Sequence, residues 1–198
     1  MDDIVLRGMA RWPNVPSVYG WLSLDRRGQW LLKGDRVQNP GIIDFFGRNY
    51  SCDDSGRWFV QNGPQRVFVR LDYTPYVYRF STGAGIQAHT GSPAGTVTRA
   101  CIDELGHVLL EAGPGIGLVH DADLDTVVAA LRGADGKPPG DAALENALSR
   151  LQSGKPVAMT LDTGSGPVPV CPIASADVPA RYGFNPCPLQ PAGEEECY

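Results

Sequence analysis

No stretch of this 198-residue chain holds the roughly 18 consecutive apolar residues that a membrane-crossing helix needs, so no membrane partner is expected. Clusters of positive charge are missing as well. Lys and Arg number 17 against 22 Asp and Glu, for a net charge of −5. The densest basic stretch, Arg26-Arg27 with Lys33 and Arg36, is interrupted by Asp25 and Asp35. A polyanion would be repelled at long range, so no nucleic-acid partner is expected. The chain opens Met1-Asp2-Asp3, acidic where a secretory leader is basic, and no apolar run follows; the expectation is a cytoplasmic protein. The cysteines Cys52, Cys101, Cys171, Cys187 and Cys197 are odd in number and none falls at C-x-x-C spacing. They read as reduced thiols, mostly small buried apolar side chains, with Cys197 the most exposed and none activated.

What the chain has is punctuation: Gly 24 and Pro 17, with a recurring phrase of aspartate, two residues, glycine and an apolar run. Asp25 to Gly28 leads into Trp30-Leu31-Leu32, Asp53 to Gly56 into Trp58-Phe59-Val60, and Asp103 to Gly106 into Val108-Leu109-Leu110. Asp162-Thr163-Gly164 is a looser fourth copy. Each is expected to be a hairpin turn, the carboxylate capping backbone N–H groups and the glycine taking a positive φ. The first and third copies match at a constant offset, with Leu24 and Trp30 corresponding to Ile102 and Val108. An internal duplication of a hairpin–helix–strands unit follows as one reading; shared turn chemistry between unrelated hairpins is the other.

Residues 1–18, with Pro13 and Pro16, read as an extended lead-in whose Trp12 and Val15 pack on the core. A hairpin over 20–34 precedes a helix that Asn39 caps and Pro40 opens, with Ile42, Ile43, Phe45 and Phe46 on its apolar face and Gly47 at its end. A second hairpin covers 50–62. From 65 to 80 the alternation of Val67, Val69, Leu71 and Tyr73 with polar residues predicts one strand, bent at Pro75 and continued by Tyr76, Tyr78 and Phe80. Asp121 or Asp123 starts the next helix, with Leu124, Val127, Val128 and Leu131 on one face and Gly133 as its stop. The last helix starts at Asp141, presents Leu144, Ala147, Leu148 and Leu151, and stops at Gly154. A strand pair over 157–161 and 168–171 follows. The division this implies is a first unit over 1–80, a connecting loop over 81–96, a second unit over 97–185, and a Pro-rich acidic tail over 186–198 lying on the surface.

The phrases that carry catalytic chemistry elsewhere each break at a required position. Asp162-Thr163-Gly164-Ser165 has the form of an aspartic-protease half-site, but too little chain follows to build the flap and second lobe. Gly113, Gly115 and Gly117 lie between a strand and a helix as in a dinucleotide loop, yet the spacing is G-x-G-x-G and Pro114 removes an amide donor. Asp121, Asp123 and Asp125 resemble the start of a calcium loop, but Thr126 replaces the glycine and Arg132 the closing glutamate. His120 beside them is the most interesting of the three histidines. Tyr76, Tyr78 and Arg70 belong to an aromatic-rich stretch able to line a groove. The candidate ligand-binding residues are therefore Gly113, Gly115, Gly117, His120, Asp123, Arg70, Tyr76 and Tyr78, with no metal site and no cofactor expected and no catalytic residue assigned.

The pattern Trp30 to Gly34, Phe45-Phe46, Asp54 to Val60 and Val69 to Pro75 resembles uncharacterised proteobacterial families classed only as domains of unknown function. The resemblance covers about residues 20–80 well, and the rest by order of elements. It implies an α+β fold with repeated motifs and a ligand-sensing or signalling role, and no catalytic residues. The expected architecture is α+β: antiparallel hairpins forming one curved sheet or two small sheets, with two or three helices. The expected role is a non-catalytic module binding a small molecule or a protein. The alternatives are a hydrolase-type enzyme with a carboxylate and His120 near 113–125, and a homo-oligomer or a subunit of a larger assembly.

Overall fold

The computed structural model describes residues 1–11, 15, 17–81 and 85–191. The chain divides into two compact units, one of Met1–Pro75 together with the residues from Gly183 on, the other of Tyr76–Tyr182. In the first unit the order is α1 (Asp3–Arg11), β1 (Val18–Leu24), β2 (Trp30–Leu32), β3 (Asp35–Arg36), α2 (Pro40–Arg48), β4 (Tyr50–Cys52), β5 (Trp58–Asn62) and β6 (Gln65–Leu71). The second unit runs β7 (Tyr76–Ser81), β8 (Gly85–Ala88), β9 (Val97–Ile102), β10 (Val108–Ala112), β11 (Gly115–Val119), α3 (Leu124–Ala130), β12 (Leu131–Arg132), α4 (Asp141–Gln152), β13 (Thr160–Asp162), β14 (Pro167–Pro172) and α5 (Val178–Tyr182).

The six-stranded sheet has the order β3-β2-β1-β6-β5-β4, and the eight-stranded sheet the order β12-β13-β14-β9-β10-β11-β7-β8. Adding eight to each strand number of the first sheet reproduces six consecutive strands of the second. Directions agree too: β1 and β6 are parallel, as are β9 and β14, and the remaining matched pairs are antiparallel. Register agrees at the first hairpin, where Leu24 faces Trp30 and Ile102 faces Val108. The duplication is thus present in the topology, with α2 and α3 at the same place in each repeat. The second repeat adds the β7–β8 hairpin at one edge and the α4 segment between β12 and β13.

The turns form as the aspartates require. Asp25 Oδ1 accepts from Arg27 N and Gln29 N, both at 2.8 Å; Asp53 Oδ1 from Ser55 N and Arg57 N at 3.0 and 2.9 Å; Asp103 Oδ1 from Leu105 N and His107 N at 2.9 and 2.8 Å. Gly28, Gly56 and Gly106 have φ of 74°, 73° and 85°. Asp162 makes a smaller version, its Oδ1 accepting from Gly164 N at 3.0 Å, so the protease-like tetrad is a reversal between β13 and β14.

Several expectations are corrected. The sheets are mixed, each with parallel neighbours, and the described residues hold five α-helices instead of two or three. The lead-in is not extended: α1 occupies Asp3–Arg11 and buries Val5. Asn49, fully buried at the end of α2, holds its start through Asp2 N–H at 2.8 Å. Trp12 lies outside the described residues. The 65–80 strand is two strands in two sheets, because the chain leaves the first after Leu71 and enters the second at Tyr76. Period two is present on both sides of the break, but its phase shifts by one residue between Tyr73 and Tyr76. The units therefore divide at Pro75, and 81–96 carries β8 where a connecting loop is expected. The segment after Tyr182 folds back on the first unit: Asn185 N donates to Gly56 O at 2.8 Å and Leu71 N to Pro186 O at 2.8 Å. On α3 the buried positions are Val127 and the adjoining Leu131, while Leu124 and Val128 are exposed. Cys101 is the one buried cysteine of the four described.

The three aspartate caps differ in burial. Asp103 is wholly buried and also holds His107 Nδ1 at 2.8 Å through Oδ2, whereas the Asp25 turn faces solvent. Removing a buried acceptor strands donors that water cannot reach. Asp103→Ala is expected to lower the unfolding free energy by about 2–3 kcal/mol, and Asp25→Ala by about 1 kcal/mol or less, in urea titrations. Equal losses would show that burial does not set the strength of these caps.

Candidate functional site

The glycine-rich stretch is a strand, and its glycines answer two tyrosines. In β11, Gly117 pairs in parallel with Tyr76 of β7, and Val119 with Tyr78. The rings of Tyr76 and Tyr78 stack with centroids 6.1 Å apart. A Cβ on Gly117 would collide with the Tyr78 ring and approach Tyr76 Cβ to 2.9 Å. One on Gly115 would sit 3.4 Å from the Tyr76 ring. The buried Tyr78 hydroxyl donates to Gly115 O at 2.8 Å, and burial raises its pKa. Gly113 N–H, in the turn before β11, donates to Ala94 O at 3.0 Å.

His120 and Asp123 follow directly. His120 precedes the 3-10 turn Asp121–Asp123 and caps it, Nδ1 accepting from Ala122 N at 3.0 Å with Asp121 Oδ1 2.9 Å away. Asp123 is buried. Its Oδ2 accepts from Arg79 Nε at 2.7 Å and Phe80 N at 3.0 Å, and its Oδ1 from Arg79 Nη2 at 3.2 Å. Burial works to raise its pKa, but the Arg79 and Phe80 hydrogen bonds outweigh that and hold it below the ordinary carboxylate value. A carboxylate so occupied is a strut between β7 and the start of α3 and a poor proton carrier. The structure thus gathers seven of the eight candidates into the second unit, while Arg70 lies on β6 of the first. Among the described residues no three His, Cys, Asp or Glu side chains converge as metal ligands.

A pocket of about 430 Å³ lies elsewhere in the second unit. It is built by the segment between β12 and β13: Gly133 and Pro139 before α4, Asn146, Ala147 and Arg150 on α4, and Val157 to Met159 after it. Ala147 gives a buried apolar floor and Met159 a half-buried wall, while Asn146 and Arg150 are exposed at the rim. Arg150 Nη2 donates to Pro156 O at 3.0 Å, which ties the end of α4 to the pocket's far side. Sequence reasoning missed this site because it looked for charged or glycine-rich phrases. The available signal was the loss of the repeat: an Asp-x-x-Gly turn joins β4 to β5, while 133–159 joins β12 to β13.

His89, in the turn after β8, is also a residue that sequence reasoning passed over. Its Nδ1 accepts from Val77 N at 3.3 Å and its ring lies 5.9 Å from that of Tyr76. Burial depresses its pKa from 6.5 to about 3, so it is neutral in the folded protein.

With this geometry in place, comparison with known proteins gives the family. Residues 1–189 match the family model described as protein of unknown function (DUF2946), and the chain belongs to that family. No curated protein matches. Among solved structures the chain is similar to a DUF1285 family protein from Silicibacter pomeroyi DSS-3, at 13% identity and a TM-score of 0.51 over 81% of this chain and 85% of that one. A DUF1285 family protein from Shewanella baltica OS155 is 16% identical, with a TM-score of 0.43 over 58% of this chain and 92% of that one. The first likeness supports the α+β fold.

Two expectations follow from the site. Gly117→Ala forces a methyl into the Tyr78 ring and should cost about 3 kcal/mol or more of stability, whereas Gly113→Ala, outside the strand, should cost less. Chemical denaturation of the two variants checks this. Between pH 6.5 and about 3 the unfolded chain takes up a proton at His89 that the folded chain refuses. The His89 contribution is therefore intact above pH 6.5 and is lost as the pH falls, with a slope of up to about 1.4 kcal/mol per pH unit. His89→Gln should flatten the fall in stability between pH 6.5 and 5, above the range in which carboxylates titrate.

Proposed function

We propose that the chain is a binding module without catalysis, and that its ligand is a small molecule held in the pocket over α4. One observation carries the reading: the two repeats share strand order, direction and register, and the segment by which the second exceeds the first between corresponding strands is the segment that walls the pocket. A duplicated scaffold with a pocket-building insertion in one copy is what a binding function grafted onto a structural repeat looks like. The lining suits a compact ligand with an apolar body against Ala147, Val157 and Met159, and a carbonyl or anionic end toward Asn146 and Arg150. The hydrolase alternative gains less support, since His120 caps a turn and Asp123 is held by Arg79.

Thermal unfolding against a panel of small carboxylates, phosphates and amides tests this. A ligand at about 100 times its Kd adds about 2.7 kcal/mol, enough to raise the Tm by roughly 5 °C or more in a protein of this size. Ala143→Trp, an exposed change on the pocket wall, should abolish that rise and leave the unliganded Tm nearly unchanged. The reading fails if no member of the panel shifts the Tm, or if the shift survives in Ala143→Trp.

A further inference from the structure

Cys101 and Cys171 face one another where β9 and β14 run parallel. They are register partners, and their Sγ atoms lie 2.9 Å apart. The matching positions of the first repeat are Ser23 and Arg70, so the pair is particular to the second. Cys101 is fully buried beneath Tyr182 of α5, whose hydroxyl is 3.9 Å from its sulfur, whereas Cys171 is half-buried. Cys171 is thus the more exposed residue of the pair.

The surroundings separate the two thiols. Cys171 is held below the ordinary thiol value, first by its hydrogen bond with Cys101 and then by the Arg99 and Arg181 guanidinium groups, with burial opposing. Cys101 is pushed up by the same bond and by burial, with Tyr182 and Arg181 opposing. Glu111, the register partner of Arg99, accepts from Tyr182 Oη at 3.3 Å and lies 3.9 Å from Arg99 Nε. A half-buried cysteine beside cations, its sulfur in contact with that of a buried cysteine, is the arrangement of an attacking and a resolving cysteine. Neighbouring strands about 4.8 Å apart put the Cα atoms within the span a disulfide bridges.

We propose that Cys171 and Cys101 form a redox-active dithiol whose oxidant is a small hydroperoxide. The Cys171 thiolate attacks the distal peroxide oxygen; an S–O bond forms, the O–O bond breaks, and the departing oxyanion takes a proton and leaves as alcohol or water. The Cys101 sulfur then attacks the Cys171 sulfenic sulfur, giving up its proton. The S–S bond forms, the S–O bond breaks, and the hydroxyl leaves with that proton as water. Two thiols are oxidised by two electrons, and one peroxide is reduced. Arg99 is a positioning residue that favours the thiolate.

The test uses the full chain with Cys52, Cys187 and Cys197 changed to Ser, treated with stoichiometric hydrogen peroxide. The expected result is loss of both remaining thiols, a monomer mass lower by two hydrogens, a cross-link between the peptides holding residues 101 and 171, and full recovery with dithiothreitol. In Cys101→Ser, dimedone should label Cys171. Arg99→Ala should slow oxidation by roughly threefold to tenfold, and Arg99→Lys should restore part of the rate. In the unsubstituted chain Cys171 should oxidise about tenfold faster than Cys52, whose thiol is held up by partial burial and by Asp53 and Asp54. Equal rates at Cys171 and Cys52, or peroxide consumption that leaves both core thiols free, would overturn the proposal.

Discussion

Each unit of this chain depends on one pairing that no hairpin can make: the first strand of the repeat lies parallel to the last. β1 runs beside β6 and β9 beside β14, and the other strands of each repeat extend from one side or the other of that seam by antiparallel pairing. The seam closes a long loop, with a helix and two hairpins between its strands in the first repeat and a further helix, α4, in the second. Hydrophobic register holds it once made. Leu22 and Leu24 lie against Val69 and Leu71, and Ala100 and Ile102 against Val170 and Pro172. Seven of these eight are buried, which leaves a one-residue slip no apolar face to settle on. Closure entropy grows only with the logarithm of loop length, so an insertion of roughly 20 residues ahead of the seam costs about 0.4 kcal/mol. That is how the second repeat accommodates α4 and its pocket without altering the order of its strands.

Between the buried anchors lies one seam position on each strand that points to the opposite face. In the first repeat these are Ser23 and Arg70, in the second Cys101 and Cys171. Because register is set by the flanking residues, the side chains at this position differ between the repeats without altering the pairing. The pairing also brings two side chains far apart in sequence to a defined separation on a rigid support, which a loop could not do as closely. The two repeats thus differ at the middle of the seam, at the connection between β12 and β13, and at the sheet edge where the second carries the β7–β8 hairpin.

Where the causes are local, the sequence is legible. The Asp-x-x-Gly phrase works because a carboxylate reaches amides two and four residues ahead, and Asn39 followed by Pro40 starts α2 by the same short reach. The equal offset between Asp25 and Asp103 made the duplication readable, and strand order bears it out. The parallel seam was not legible, since nothing in Val69 or Val170 names its partner. The break between β6 and β7 was hidden because both strands alternate with period two, yet the phase changes across Pro75, from Val67, Val69, Leu71 and Tyr73 to Tyr76, Tyr78 and Phe80. The start of α1 was not legible because the hydrogen bonds that secure it join Asp2 to Asn49, 47 residues further along the chain. The glycines of β11 were noticed for the room they leave, whereas the structure fills that room with Tyr76 and Tyr78.

The recurring turn also shows why a motif in letters does not carry its own weight. All three copies place the same oxygen on the same two amides at nearly the same distances. In an exposed turn, water competes for those amides, and the carboxylate gains little over solvent. The buried Asp103 has no such competitor, and it also orients His107. Asp53 stands between them: its second oxygen accepts from Arg57 Nε at 2.8 Å, and a Cβ at Gly56 would be driven into the backbone of Gly183. This turn is therefore also the seat on which the returning C-terminal segment rests. Identical local chemistry thus does three jobs, as a solvated reversal, as a docking point and as a buried anchor. Which job each copy does is decided by what packs over it.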